Sequence, residues 1–302
     1  MWANVTDPVP DPRILEALRA SAVLHSAVLT PKGPHLTPTV FSWAAGRLWI
    51  VAPKRSVKVR ALRADPRVGV LLAAGARYVI GSGTAAVWDP LGGSPRPNVD
   101  ELVRGPFGAT RYLTENLRHA LSVVADSPTP WLVVDRVAVS ISLERLALST
   151  DTELIESWGE WPRHDALTRS ANRGERFHLP GPASEIARRL LHSDGDAQLG
   201  LTSRCGPLAL PAHWSAERHE AGLPADLAVL TGCVAPGPAC LTRATSGYGV
   251  ADKQGVLVRG PSTYRRAGDS ALFHVTPHTV TTWRGQRVRT VSRARPEVRA
   301  DD

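Results

Sequence analysis

The chain has 302 residues, 43% of them hydrophobic and 21% charged, with a formal net charge of +8. That length and balance describe a globular protein with one large core or two ordinary ones, not a disordered or fibrous chain. Apolar runs such as Val68–Ala74 fall far short of the ~18–20 residues of a membrane helix. The stretch MWANVTDPVPDPRILEAL has acids and prolines where a secretory signal has a basic start and an apolar core. The expectation is a cytoplasmic protein with no membrane partner. Three cysteines, Cys205, Cys233 and Cys240, are too few and too widely spaced for a disulfide scaffold or a zinc knuckle, and they read as buried thiols. The positive charge favours an anionic partner: a phosphorylated cofactor, an acidic substrate or nucleic acid.

Pro12–Ser21 carries Ile14, Leu15 and Leu18 at helical spacing, and a strand follows over Ala22–Thr30. Beyond a Lys-Gly-Pro turn, Leu36–Ala44 and Arg47–Ala52 read as a hairpin closed around Ala45-Gly46. Ser56–Ala64 reads as a short basic helix ended by Asp65-Pro66, because the residue before proline avoids the helical region. Val68–Ala73 and Arg77–Asp89 read as strands, with Gly81–Gly83 marking a bulge or a close backbone approach. Thr110–Ala125 has Leu113, Leu117, Leu121 and Val124 on one helical face, and Trp131–Leu146 is a long last strand or a bent pair.

Residues 149–182 are polar and weakly periodic and read as a connection, with Trp158 and Trp161 anchoring it. The pattern then recurs. A helix over Ala183–His192 stands where Pro12–Ser21 stood. LTSRCGPLALPAHWSAE (201–217) echoes LTPKGPHLTPTVFSWAA (29–45), 252–266 echoes 76–89, and 271–285 echoes 130–145. Their shared order indicates a tandem duplication. The divisions are 1–148, a connection over 149–182, and 183–302.

The chain has four lysines against 32 arginines, and Lys32, Lys54 and Lys58 all fall within residues 29–65. A lysine ammonium is a compact point charge suited to a terminal phosphate, and Ser56 between Lys54 and Lys58 offers a hydroxyl. The plain alternative is a solvated basic turn. No nucleophile elbow, zinc-protease motif, Walker loop or paired-cysteine metal site is present. His35 sits in the Gly-Pro-His turn and is placed to face a substrate, whereas His213, His274 and His278 are scattered on strands.

GPHLTPTVF (33–41), GRLWIVAPKRSVKVRALRADPRVGVLL (46–72) and RYVIGSGTAAVWD (77–89) together resemble the flavin-binding split β-barrel family, which includes pyridoxamine 5′-phosphate oxidase-like proteins and deazaflavin-dependent reductases. The resemblance implies an α+β fold, mainly β, of two tandem split β-barrels with short flanking helices. It implies a cofactor, FMN or a deazaflavin coenzyme, whose phosphate meets Lys54, Ser56 and Lys58. The flavin ring would then lie against Thr37, Thr39, Val40 and Phe41; an ordinary core strand is the alternative for those four. It also implies a groove between two barrels, formed within one chain as a pseudo-dimer or between chains as a homodimer. After an expected strand at Asp226–Gly232, the second half has no lysine at the corresponding place, so Thr242, Arg243, Thr245 and Ser246 are its poorer candidates. Trp214, Tyr248 or Arg243 would reach across to the first groove. Three functions follow: a flavin- or deazaflavin-dependent oxidoreductase acting on a small molecule, a non-catalytic binder of flavin, haem or another anion, and, least favoured for want of interleaved aromatic and basic residues, a nucleic-acid protein.

Overall fold

A computed structural model describes residues 11–89, 99–116, 135–162, 177–181, 184–232, 237–245, 253–285 and 287–293. Helix α1 (Pro12–Ala20) starts on Asp11, whose carboxylate accepts the Arg13 N–H at 2.7 Å, with Pro12 in the first turn. Strands β1 (Leu24–Thr30) and β2 (Gly33–Thr39) form a hairpin. The chain leaves the ladder at Val40–Phe41 and resumes as β3 (Ser42–Ala44). Ala45 and Gly46 both have positive φ, 52° and 73°, the two-residue turn a twisted hairpin needs before β4 (Arg47–Pro53). Then come α2 (Val57–Ala64), β5 (Arg67–Ala74), β6 (Arg77–Trp88), α3 (Val99–Glu115), β7 (Arg136–Ser149) and β8 (Leu154–Trp158).

These strands pair in the order β2-β1-β5-β6-β7-β4-β3, with β8 added to β7. Because β2 and β3 are consecutive pieces of one bent strand, the sheet closes on itself as a barrel. The expected bulge is present: the β6–β7 register shifts between Ser82 and Gly83. Leu24, Val28, Leu48, Ile50, Val70 and Ile141 fill the interior.

The second half repeats this arrangement with α4 (Glu185–Leu191), β9 (Gly195–Ser203), β10 (Gly206–Ser215), β11 (Glu220–Pro224), α5 (Ala225–Leu230), β12 (Gly237–Ala244), β13 (Gln254–Ala267), β14 (Ser270–Val275), β15 (Thr279–Arg284) and β16 (Arg287–Ser292). Its ring runs β9-β10-β11-β14-β13-β12 and back to β9. Strand β10 is the unbroken counterpart of β2 plus β3, and β14 with β15 is the divided counterpart of β7. The fold is two tandem split β-barrels with short flanking helices, mainly β.

The barrels pack face to face. Ala27, Leu36, Leu71, Ile80 and Ala147 of the first half lie in one continuous core with Leu199, Leu208 and Leu210 of the second. The contact is reciprocal. A Cβ on Gly33 would meet Pro238 at 2.7 Å, and one on Gly206 would meet Arg67 at 2.9 Å. Each pair joins the hairpin turn of one half to the matching strand start of the other, which is the signature of an approximate twofold axis.

Three elements differ from expectation. Asp226–Gly232 is not a strand: Ala225–Leu230 is helix α5, with Leu227, Ala228 and Leu230 buried. A short apolar run has no periodicity to separate a buried helix from a buried strand. The helix expected over Thr110–Ala125 begins at Val99 and runs through Pro106; residues 117–125 lie outside the described part. Within the expected connection, Leu154–Trp158 forms β8 of the first sheet. Trp161 is buried, donating Nε1–H to the Leu146 carbonyl at 3.2 Å. Phe177 stacks on His219 at 4.7 Å and anchors the far end of the connection to the second barrel. Among the described residues, no helix is long and apolar enough to cross a membrane.

Candidate functional site

The turn after β4 sets up the site. Pro53 ends the strand, and Ser56 becomes the N-cap of α2, its Oγ accepting the Val59 N–H at 3.3 Å. Lys54 turns back to Asp89 at the end of β6, with 2.7 Å between Nζ and Oδ2, and Arg63 reaches the same carboxylate at 3.2 Å. Lys54 and Ser56 thus have structural partners of their own. Lys58 is the second residue of α2 and is 7% exposed. Among the described residues it forms no ion pair or hydrogen bond. A buried cation in the first turn of a helix is doubly unfavourable, since it is desolvated and sits at the positive end of the helix dipole. Burial pulls its pKa from 10.5 to about 7.

The groups around Lys58 are also basic. His25 on β1 feels the Lys58 charge, and His35 on β2 feels both Lys58 and Arg259. Arg259 belongs to β13 of the other barrel. It stands opposite Cys240 in the β12–β13 ladder, and the Cys240 thiol bonds the backbone of Leu36, next to His35. Five polar atoms of this hairpin and Arg259 are enclosed without a partner: His25 Nδ1, Ser26 Oγ, His35 Nδ1, Thr37 Oγ1 and Arg259 Nε. Buried polar atoms are normally paired, and each of these can donate a hydrogen bond.

Thr37 and Thr39, predicted to line the ring, lie on β2, and Val40 and Phe41 form the bend after it. Thr37 ends in its unpaired hydroxyl. Thr39 Oγ1 donates to the Val40 carbonyl at 3.3 Å, and Val40 and Phe41 are each 8% exposed. The interruption of the strand at 40–41 takes these peptides out of the ladder, and Asn116, just past α3, donates to the Phe41 carbonyl at 3.0 Å. Both carbonyls of the bend thus already accept a side-chain bond.

Of the residues expected to reach across, Trp214 is fully buried in its own barrel, donating to the Leu191 carbonyl at 3.0 Å. Arg243 wraps the C-terminus of α4, donating to the carbonyls of Leu190, Ser193, Asp194 and Asp196. Thr242 donates to the Leu36 carbonyl at 3.4 Å. Tyr248, Ser246 and Cys233 lie outside the described residues. Thr242 thus reaches across to β2, Arg259 also acts across the barrels on His35, and His25 joins from β1. Neither Arg259 nor His25 had a local sequence signal, because only the sheet register brings them to α2. A separate cleft of about 260 Å³, lined by His213, Arg218, Glu220 and Leu272, lies on the second barrel, away from Lys58.

The cluster makes the fold acid-sensitive. Burial first, then the Lys58 charge, holds His25 at about 4; burial, Arg259 and Lys58 do the same for His35. Unfolded histidine titrates near 6.5, so between pH 6.5 and 4 the unfolded chain takes up protons that the fold refuses. Stability is therefore lost as the pH falls through that window, by up to about 3 kcal/mol per ring. The urea midpoint should drop steeply between pH 7 and 4.5, less so in His25→Gln and His35→Gln; a flat profile would contradict the buried histidine cluster.

No family model matches the chain, and no curated protein matches it. Solved structures match about one half of it at a time. An FAD-binding protein from Mesorhizobium loti is 16% identical over 46% of this chain and 94% of that one, with a TM-score of 0.36. A haem-binding protein from Mycobacterium smegmatis is 16% identical over 48% and 56%, with a TM-score of 0.36. A pyridoxamine 5′-phosphate oxidase-related, FMN-binding protein from Nostoc punctiforme is 14% identical over 47% and 85%, with a TM-score of 0.37. The chain resembles the flavin-binding split β-barrel proteins, in duplicate; the fold itself stands on the two closed rings described above.

Proposed function

We propose that this chain is a flavin- or deazaflavin-dependent oxidoreductase acting on a small-molecule substrate, with its phosphorylated cofactor held between the two barrels. The observation that carries the reading is Lys58: a buried ammonium without a described ion-pair partner at a helix N-terminus, with His25 and His35 in its field and Arg259 acting on His35. A phosphate supplies the missing countercharge and accepts from the orphan donors. The residues present fit such a group. Lys58 meets the phosphate, Ser56 fixes the helix that presents it, and Lys54 stands at the rim on Asp89. Thr37, Thr39, Val40 and Phe41 form the wall for the ring.

Such a cofactor supplies hydride transfer when bound. The chain's part is to neutralise the phosphate, hold the ring against the bent strand and exclude water from it. The division into 1–148, 149–182 and 183–302, a cytoplasmic location and a pseudo-dimer formed within one chain belong to the same proposal.

The test is an absorption spectrum of the purified protein, followed by titration with FMN and with the deazaflavin. Flavin-region bands, or binding lost in the Lys54→Ala/Lys58→Ala variant, support the site. Binding that survives Lys58→Ala overturns it. Binding with no turnover of reduced nicotinamide or any offered acceptor would make the chain a carrier of flavin, haem or another anion instead of an oxidoreductase.

A further inference from the structure

The two halves build equivalent positions from opposite chemistry. Their first hairpins match bond for bond. Thr30 Oγ1 donates to the Gly33 carbonyl at 2.7 Å and accepts the Lys32 N–H at 3.3 Å; Ser203 Oγ donates to the Gly206 carbonyl at 3.2 Å and accepts the Cys205 N–H at 3.0 Å. Counting back from these turns, His25 corresponds to Gln198; counting forward, His35 and Thr37 correspond to Leu208 and Leu210. The ladders extend the match. Gly69 pairs with Ser82 as Cys240 pairs with Arg259, so the counterpart of Arg259 is Ser82.

The helix shows the sharpest change. After Pro53 the chain runs Lys54-Arg55-Ser56 before α2; after Pro224 those three residues are missing and α5 begins at once. The second residue of α2 is Lys58, and that of α5 is Asp226. Asp226 is engaged, accepting the Leu227 N–H at 2.8 Å and the Leu154 N–H at 3.2 Å, which ties the start of β8 to the second barrel. Lysine, histidine, histidine and arginine have become aspartate, glutamine, leucine and serine. An anion at the second position would lose every cationic group of the first and keep only the weaker neutral donors of Gln198 and Ser82.

We infer that the chain takes one phosphorylated ligand, in the groove of Lys58 completed by Arg259 from the second barrel, and that the pseudo-equivalent place of Gln198, Leu208 and Ser82 takes no anion. This rests on the anionic-ligand reading above. Isothermal titration of the full chain with FMN, and separately with pyrophosphate, should give one site per chain. Arg259→Met should weaken that site at least tenfold and Arg259→Lys much less, while Asp226→Asn leaves stoichiometry and affinity within twofold. Melting curves of each variant verify that it is folded. Two sites per chain would overturn the inference and leave the proposed function standing. One site that survives Lys58→Met, or is weakened by Asp226→Asn instead, would place the ligand elsewhere and overturn both. Affinity unchanged in Arg259→Met would remove the cross-barrel contact, and no binding of either probe would overturn both readings.

Discussion

Replacing Lys58 by methionine should raise the melting temperature of the ligand-free protein and greatly weaken its phosphate binding in the same step. Lys58 carries its charge in a buried place, and its pKa falls from 10.5 to about 7 for that reason. At pH 7 the 3.5-unit difference corresponds to at most about 5 kcal/mol of unfavourable ionisation, at 1.36 kcal/mol per unit. Methionine keeps the length and fills the same volume without the charge. With relaxation around the ammonium, the net gain should be about 1–3 kcal/mol, a few degrees in Tm for a chain of this length. The sign can be checked against pH. The unfolded chain binds the proton between pH 7 and 10.5 and the fold does not, so this penalty is complete below pH 7 and disappears as the pH rises to 10.5. The stabilisation by Lys58→Met should shrink over that interval.

Ligand binding should run the other way. A phosphate needs Lys58 charged, so wild-type affinity should fall about tenfold per pH unit above pH 7. Losing this contact should cost on the order of 100-fold in affinity. Thermal melts with and without pyrophosphate measure both effects. A lower Tm for Lys58→Met without ligand would show that the ammonium is paired in solution and serves the fold.

Gly69→Val should separate the barrels. Gly69 lies on β5 where the second barrel comes closest, and a Cβ there would stand 2.4 Å from the Pro207 carbonyl oxygen and 2.8 Å from the Leu208 Cα. Both obstacles are backbone of β10, so no side chain can swing aside. Even one methyl group demands a shift of the whole strand, and valine demands more. The shift would open the core that Ala27, Leu36, Leu71 and Ile80 share with Leu208 and Leu210. We expect a loss of roughly 3 kcal/mol or more, as for other overpacked positions without room to relax. The single unfolding transition should split in two as each barrel melts by itself. Binding at Lys58 should weaken too, although residue 69 is not among its neighbours, because Arg259 would withdraw with its barrel. An unchanged single transition in urea, with a midpoint close to wild type, would mean that the barrels do not meet at this face.

What could be read in advance was whatever local chemistry dictates. Ala45-Gly46 announces a turn because the hairpin needs two positive φ values. Ser56 and Asp65-Pro66 bound α2 because one caps its N–H groups and the other ends it. Gly81–Gly83 marks the bulge. The repeat was visible in the echo of Gly-Pro turns, since both hairpins use the same hydroxyl bonds. Hidden were the features decided by tertiary context. Helix α5 is a short apolar run, Gly105-Pro106 looks like a break in what is continuous α3, and β8 lies in a polar stretch whose pairing only β7 supplies. At the site, Lys58 could be named from its rarity, but its burial could not. Lys54 and Ser56 carry the right chemistry for a phosphate and yet have partners in Asp89 and the α2 backbone. His25 and Arg259 meet only through the packing of two sheets.

Joining both barrels in one polypeptide changes the rules by which such a pair can vary. In an assembly of identical subunits every substitution is made twice, and whatever harms one groove harms the other. Here a codon is written once for each half, so Lys58 and Asp226 coexist as the second residues of the helices that follow matching strands. One half is free to specialise for recognition while the other turns its counterpart into scaffolding. Nor can the pair be separated by dilution or reshuffled with a foreign subunit, so the groove keeps the same two walls at any protein concentration.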